Sequence, residues 1–317
     1  MYESKSEILL GIVSMCGEIT SDVLEMVIPS AEYRKKVLMG LKKNNLIYKY
    51  SDVPLPSYRL TKTGKKRLLL INEERYGFFL TGTADESMRT SILTRRKRQH
   101  SLGAVMACMI NGGINIFRDE KKKFGEVQNT AFLTAMELKE KNDLWIKVRN
   151  SRMLGVIINS NDIWSVYDIS NGVFRWYDNV ELRLRILLSQ VSRDSDNINA
   201  LVFGNSIDAV KYFLSENGKK VSIVNSTFNK FSFVPLDSNG EVQLKVMLNE
   251  EIYNNFLQIV SNRNIKDTVF NVEHDWAENG VPVLLAVDFD IKRILNFVKE
   301  INYNGINGKI VCFDFQK

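Results

Sequence analysis

Histidine is nearly missing from these 317 residues, which hold only His100 and His274. That scarcity excludes a zinc site built on several imidazoles. It also excludes the two histidines around one apolar residue on which a HUH relaxase or rolling-circle initiator depends. Cysteine is scarce too: Cys16, Cys108 and Cys312 lie far apart in apolar surroundings, with no CxxC or Cys/His ligand spacing, as buried thiols of a reducing compartment would. Long apolar runs are lacking, since 283–287 falls far short of a membrane span. Glu3, Lys5 and Glu7 stand where a signal peptide would begin its basic and apolar regions. The expectation is a cytoplasmic protein with no membrane partner. Gly305-Ile-Asn-Gly-Lys309 does not have the spacing of a phosphate-binding loop, and no Arg/His/Arg/Tyr set of a tyrosine recombinase can be recognised.

What is present is charge of one sign in one place. Residues 1–150 hold 26 Lys and Arg against 17 Asp and Glu, whereas 151–317 hold 17 against 20. Residues 30–98 alone carry 17 basic and 6 acidic side chains. This asymmetry predicts a basic N-terminal half that meets a polyanion and a near-neutral remainder with another task.

Residues 6–15 carry Ile8, Leu9, Ile12 and Val13 at helical spacing, with Gly17 as a stop. Thr20 or Ser21 can cap a short second helix that ends before Pro29, and Ser30 can cap a third whose apolar side is Val37, Leu38 and Leu41. On that third helix Arg34, Lys35, Lys36, Lys42 and Lys43 are read as a basic surface fit for the major groove. Residues 46–50 and 58–60 read as the two strands of a hairpin. Tyr58-Arg-Leu-Thr-Lys-Thr-Gly-Lys-Lys-Arg-Leu68 resembles the YxLTxxGxxxL ending of many winged-helix domains, in which the Thr caps a final helix and the Gly lets it approach the hairpin. Lys49, Arg59, Lys62, Lys65 and Lys66 would then hold flanking backbone. Residues 71–91 read as a connection, and Arg95, Arg96, Lys97 and Arg98 as a basic run leading into a helix over 102–110. Cations at a helix N-terminus oppose its dipole, a placement that nearby phosphates would relieve.

Beyond Gly113 strands are expected at 114–117, 131–138, 154–158, 163–169, 200–203, 221–224, 283–287 and 309–315. Helices are expected at 180–188, 206–213, 249–260 and 291–301. The interleaving implies an α/β domain with a mostly parallel sheet. For chemistry, Glu137-Leu-Lys139 has the ExK spacing of a PD-(D/E)xK nuclease, with Asp119 upstream. Such enzymes hold Mg²⁺ between two carboxylates while a Lys orients the attacking water.

Arg95-Arg-Lys-Arg-Gln-His-Ser-Leu-Gly-Ala-Val-Met106, Asn111-Gly-Gly-Ile114, Ser151-Arg-Met-Leu-Gly-Val-Ile157, Trp164-Ser-Val-Tyr-Asp168 and Asn171-Gly-Val-Phe-Arg-Trp176 behind an N-terminal winged helix resemble the replication-relaxation family. These are proteins of Gram-positive plasmids and integrative elements. The resemblance implies an α+β / α/β chain: a winged helix-turn-helix over 1–75, a basic connector over 76–100 and a restriction-endonuclease-like domain over 101–317. In that family the second domain carries a pattern like RPDA, a hairpin, then ExD and a later Lys. Here Arg152 matches the Arg, but Met153 and Leu154 replace Pro and Asp, Asp168 fits either acidic position of the second strand, and the downstream helix offers Arg183 and Arg185 in place of a Lys. A site without its first carboxylate does not hold Mg²⁺, so the expectation is a degenerate nuclease-like fold without a cofactor. The chain would then bind double-stranded DNA in plasmid replication or conjugative transfer, with replication or transfer proteins or a second copy as partners. Two alternatives stay open: a Mg-dependent DNA endonuclease or nickase, and a winged-helix transcriptional regulator or protein-interaction scaffold.

Overall fold

The computed structural model of the chain describes residues 4–51, 55–81, 91–120, 130–141, 151–159, 162–170, 178–191, 197–206, 208, 227–249, 251, 252, 255, 258 and 272–316. It is a mixed α and β structure with several sheets. The expected helices at 206–213 and 249–260 and the strand at 221–224 fall almost wholly outside these residues, as does 171–176.

Three short helices come first: α1 (Lys5–Cys16), α2 (Ser21–Val27) and α3 (Ala31–Lys43). Each begins where a side-chain oxygen meets a free backbone N–H. Ser4 and Glu7 form a reciprocal capping box, Thr20 accepts from Val23 N, and Ser30 accepts from Tyr33 N. Gly17 ends α1 at φ +85, a conformation that glycine adopts without strain. An antiparallel hairpin of β1 (Ile47–Tyr50) and β2 (Ser57–Leu60) follows, with Tyr48 opposite Arg59, and Ile19 joins its edge through two backbone bonds with Tyr58. Thr61 caps α4 (Lys62–Ile71) by accepting from Gly64 N at 2.9 Å. A methyl group on Gly64 would collide with the Leu46 carbonyl oxygen. Gly64→Ala therefore lowers stability by about 1–3 kcal/mol, read as a thermal midpoint; an unchanged midpoint would show that the helix can draw back from the hairpin freely.

The segment expected as a connection contains another helix, α5 (Glu73–Thr81), seated by the buried Tyr76. Gly77, Thr81, Gly82 and Thr83 favour an irregular segment in sequence, and over 73–81 packing overrides that local preference. Helix α6 (Ile92–Asn111) starts well before residue 102, so the boundary expected between 100 and 101 falls inside one unbroken helix. At its end the Asn111 amide donates to Met26 O in α2 (3.0 Å) and to Glu241 (2.7 Å).

The main sheet has five strands in sequence order: β3 (Ala131–Thr134), β4 (Gly155–Ile158), β5 (Ile163–Asp168), β6 (Ile198–Gly204) and β7 (Phe231–Pro235). The first three form an antiparallel meander, and β6 and β7 continue in parallel. The sheet is thus mixed rather than mostly parallel. Residues 114–117 contribute only a bridge from Asn115 to Ala131. The strand expected over 131–138 breaks after Thr134, where α7 (Ala135–Lys141) begins. One face of the sheet, with Phe132, Ile157, Trp164, Val166 and Phe203, shares a continuous core with α1, α2, α3, α6 and Leu244 of α9 (Ser238–Met247). The other face is covered by Leu184, Leu187 and Leu188 of α8 (Asp178–Val191), each such side chain contributing roughly 1.5–3 kcal/mol. Leu182, on the outer side of the same helix, is 45% exposed. A smaller sheet of β8 (Trp276–Glu278), β9 (Val281–Leu285) and β10 (Lys309–Val311) packs with α10 (Ile291–Asn304) at the C-terminal end. Among the described residues no helix is long and apolar enough to cross a membrane.

Candidate nucleic-acid interface

Helix α3 buries Val37 and Leu41 and turns Lys35, Lys36, Met39 and Lys43 to solvent. Tyr33 is 47% and Met39 62% exposed on that outer side. Arg34 does not belong to this face. Its guanidinium donates to the carbonyls of Ile28 (2.8 Å) and Pro29 (3.1 Å) and pairs with Glu25 at 3.2 Å. It closes the end of α2. The spacing already carried the signal: Arg34 lies three and seven residues before Val37 and Leu41, on the same side of the helix. Arg34→Ala costs about 1–2 kcal/mol through the lost carbonyl bonds and leaves the salt dependence of any DNA binding as it was; melting curves and salt titrations separate the two.

The other basic residues divide in the same way. Lys49, Lys62, Lys65 and Lys66 are exposed, as is Arg67, which charge counting passed over. Lys42 lies 5.0 Å from the centre of the Tyr58 ring, a cation–π contact at the base of the hairpin. Arg59 and Arg96 turn inward to a residue that the sequence reading did not single out, Glu18, which has no exposed surface. Arg59 Nε donates to one carboxylate oxygen at 2.6 Å and Ser57 Oγ to the same oxygen at 3.1 Å. Arg96 Nε and His100 Nε2 reach the other oxygen at 2.7 Å each. Both guanidinium groups also lie over the Tyr50 ring, at 3.6 Å for Arg59 and 4.8 Å for Arg96, and Arg96 donates to the Leu55 carbonyl. Burial would raise the Glu18 carboxyl, but hydrogen bonds and charge from Arg96 and Arg59 outweigh it and hold it below the ordinary range. Burial pushes His100 down, and the two arginines add to that effect against the pull of Glu18. Of the run 95–98, Lys97 and Arg98 are exposed, Arg95 is half-buried and Arg96 is part of this buried cluster. Nothing in a single sequence marks Glu18, because its partners on α6 lie 78 and 82 residues away.

The acids considered for metal chemistry are engaged separately. Glu137 stands on α7, not on a strand: its carboxylate accepts from Thr134 N (2.8 Å) and Thr134 Oγ1 (2.9 Å) as a capping box. Lys139 is exposed on the same helix. Asp119 accepts from Arg75 Nε at 2.6 Å and from the Asn72 amide at 2.8 Å. Asp168 closes β5, with one oxygen accepting from Ser170 N at 2.9 Å and the other buried without a hydrogen-bond partner among the described residues. No three His, Cys, Asp or Glu side chains gather as metal ligands among those residues. The hairpin of β4 and β5 begins after Arg152, Met153 and Leu154 and has Ser165-Val-Tyr167 on its second strand, so it carries neither the paired acids nor the Lys of the nuclease pattern.

The chain matches no family model, no curated protein and no solved structure.

Proposed function

We propose that the chain binds double-stranded DNA, with α1 to α4 and the hairpin acting as a winged helix-turn-helix and α3 as the element that enters the major groove. The observation that carries this reading is the outer face of α3. There Lys35, Lys36 and Lys43 surround exposed Tyr33 and Met39, and the three lysines make no ion pair among the described residues. Cations reach phosphate while the aromatic and thioether groups touch base edges and methyl groups. Exposed Lys49, Lys62, Lys65 and Lys66 extend the positive surface along the hairpin and α4.

The resemblance to replication-relaxation proteins supplies the setting, which is replication or conjugative transfer of a plasmid or integrative element. The α/β part then acts as a nuclease-like scaffold for binding, a reading supported by the separate engagement of Glu137 and Asp119 and by Leu154 at the place of the first carboxylate. Titrating duplex DNA at several salt concentrations tests the proposal. The expected slope of log K against log salt is about −0.9 for each phosphate contact; affinity indifferent to ionic strength would overturn it. Supercoiled plasmid incubated with Mg²⁺ or Mn²⁺ is expected to remain intact, and nicking that disappears with Asp168→Asn would favour the nuclease instead.

A further inference from the structure

The Glu18 cluster joins three separate pieces of chain. The carboxylate comes from the turn between α1 and α2, Ser57 and Arg59 from β2, and Arg96 and His100 from α6. All its oxygens face donors, and its side chain is sealed from water. Immediately next to Arg96 on α6 stand Lys97 and Arg98, both exposed. The hairpin above carries exposed Lys49. Ile47 and Leu60 in the core and the two backbone bonds of Ile19 with Tyr58 hold the base of the hairpin, and a two-stranded ribbon beyond such ties is marginally stable. Here a charged clasp fixes it to a long helix that also reaches the sheet.

We infer that Glu18 is a positioning residue for nucleic-acid binding: it clamps the hairpin to the start of α6, so that the α3 face, the hairpin and Lys97 with Arg98 meet one duplex as a single rigid surface. This rests on the DNA-binding reading above and adds to it a second anchor outside the helix-turn-helix. The consequence is a coupling. Lys97 and Arg98 contact phosphate only while the clamp is closed, and each contributes its share of counterion release.

The test uses the full chain and a duplex of 30 base pairs. Replacing Lys97 and Arg98 together by Gln is expected to make the log–log salt slope shallower by about 1.8, two contacts at about 0.9 each. Glu18→Gln, which preserves shape and removes the charge, is expected to give a similar loss by itself, and adding the Lys97 and Arg98 changes to it should produce no further loss. A merely structural role would lower the melting temperature of Glu18→Gln and leave the slope of the folded protein at the wild-type value, and that result would overturn the inference. Should Glu18→Gln fail to fold, Ser57→Ala removes one donor only and carries the same test at smaller amplitude. Amide exchange without DNA separates this claim from the broader one: the variant should exchange faster in 57–60 and 92–100 together while α3 keeps its protection. If the wild type shows no salt-dependent binding, the DNA reading falls with its second anchor. The clamp is then judged on exchange alone, and unchanged protection in both segments would refute it as well.

Discussion

Glu18→Ala destabilises the chain by about 3–5 kcal/mol, enough to lower Tm by roughly 5–15 °C. The magnitude follows from what is left behind. Arg96 is 3% exposed, so removing the carboxylate takes its ion-pair partner from a buried guanidinium, and the Leu55 carbonyl, the Ser57 hydroxyl and the Tyr50 ring that it also meets carry no compensating charge. Arg59, at 28% exposed, can turn toward water and contributes less. A loss below about 1 kcal/mol would mean that the pairs behave as solvent-screened surface contacts. The same cluster sets an acid limit in two stages. His100 is depressed in the folded state, so below its ordinary 6.5 the unfolded chain takes up a proton that the folded chain refuses, and stability falls as pH drops. Glu18 is depressed as well; its contribution is complete above the ordinary 4.5 and is lost as pH falls through the lower folded value. Melting at pH 8, 6 and 5 should therefore show a decline that His100→Gln flattens, whereas a parallel decline in both proteins would assign it elsewhere.

Reversing the charge of Lys35 and Lys36 together weakens duplex binding by about 100-fold or more near 0.1 M salt. Two phosphate contacts are worth nearly that factor through counterion release, and two new carboxylates repel the backbone in addition. Both side chains are exposed, so Tm is expected to change by no more than a surface substitution does, about 0.5 kcal/mol in stability. Lys245→Glu with Lys299→Glu, exposed changes on α9 and α10 that shift the net charge by the same amount, is the control and should cost little. Equal losses from the two proteins would show a diffuse electrostatic attraction with no seat on α3. Retained affinity in the double variant would remove α3 from the interface.

The parts of this molecule that the sequence makes legible are those decided within one turn of chain. Ser30, Thr61 and Gly17 announce helix ends because a cap bonds a group within four residues along the chain, and Gly64 announces a close approach because the neighbouring residues form a known local pattern. The run 131–138 reads as one strand because an apolar stretch fits a strand and a buried helix equally well, and only Thr134 with Glu137 marks the change to helix. Basic residues are the hardest to assign. Lys36 and Arg96 look alike in a charge count, yet one faces water and the other closes on a carboxylate supplied from 78 positions earlier. Burial of that kind is a property of the assembled fold.

Helix α6 also decides how the molecule can be divided. Its residues Val105 to Met109 have no exposed surface and lie in the same core as Leu9, Ile12, Val23 and Leu24 of the first two helices. A fragment stopping at residue 75 would open those apolar walls to water, and one beginning at 101 would start in mid-helix without Arg96 and His100. The two halves share a beam, so expressing either alone should give aggregation in place of a folded module, and a load on the first two helices has a stiff path into the sheet.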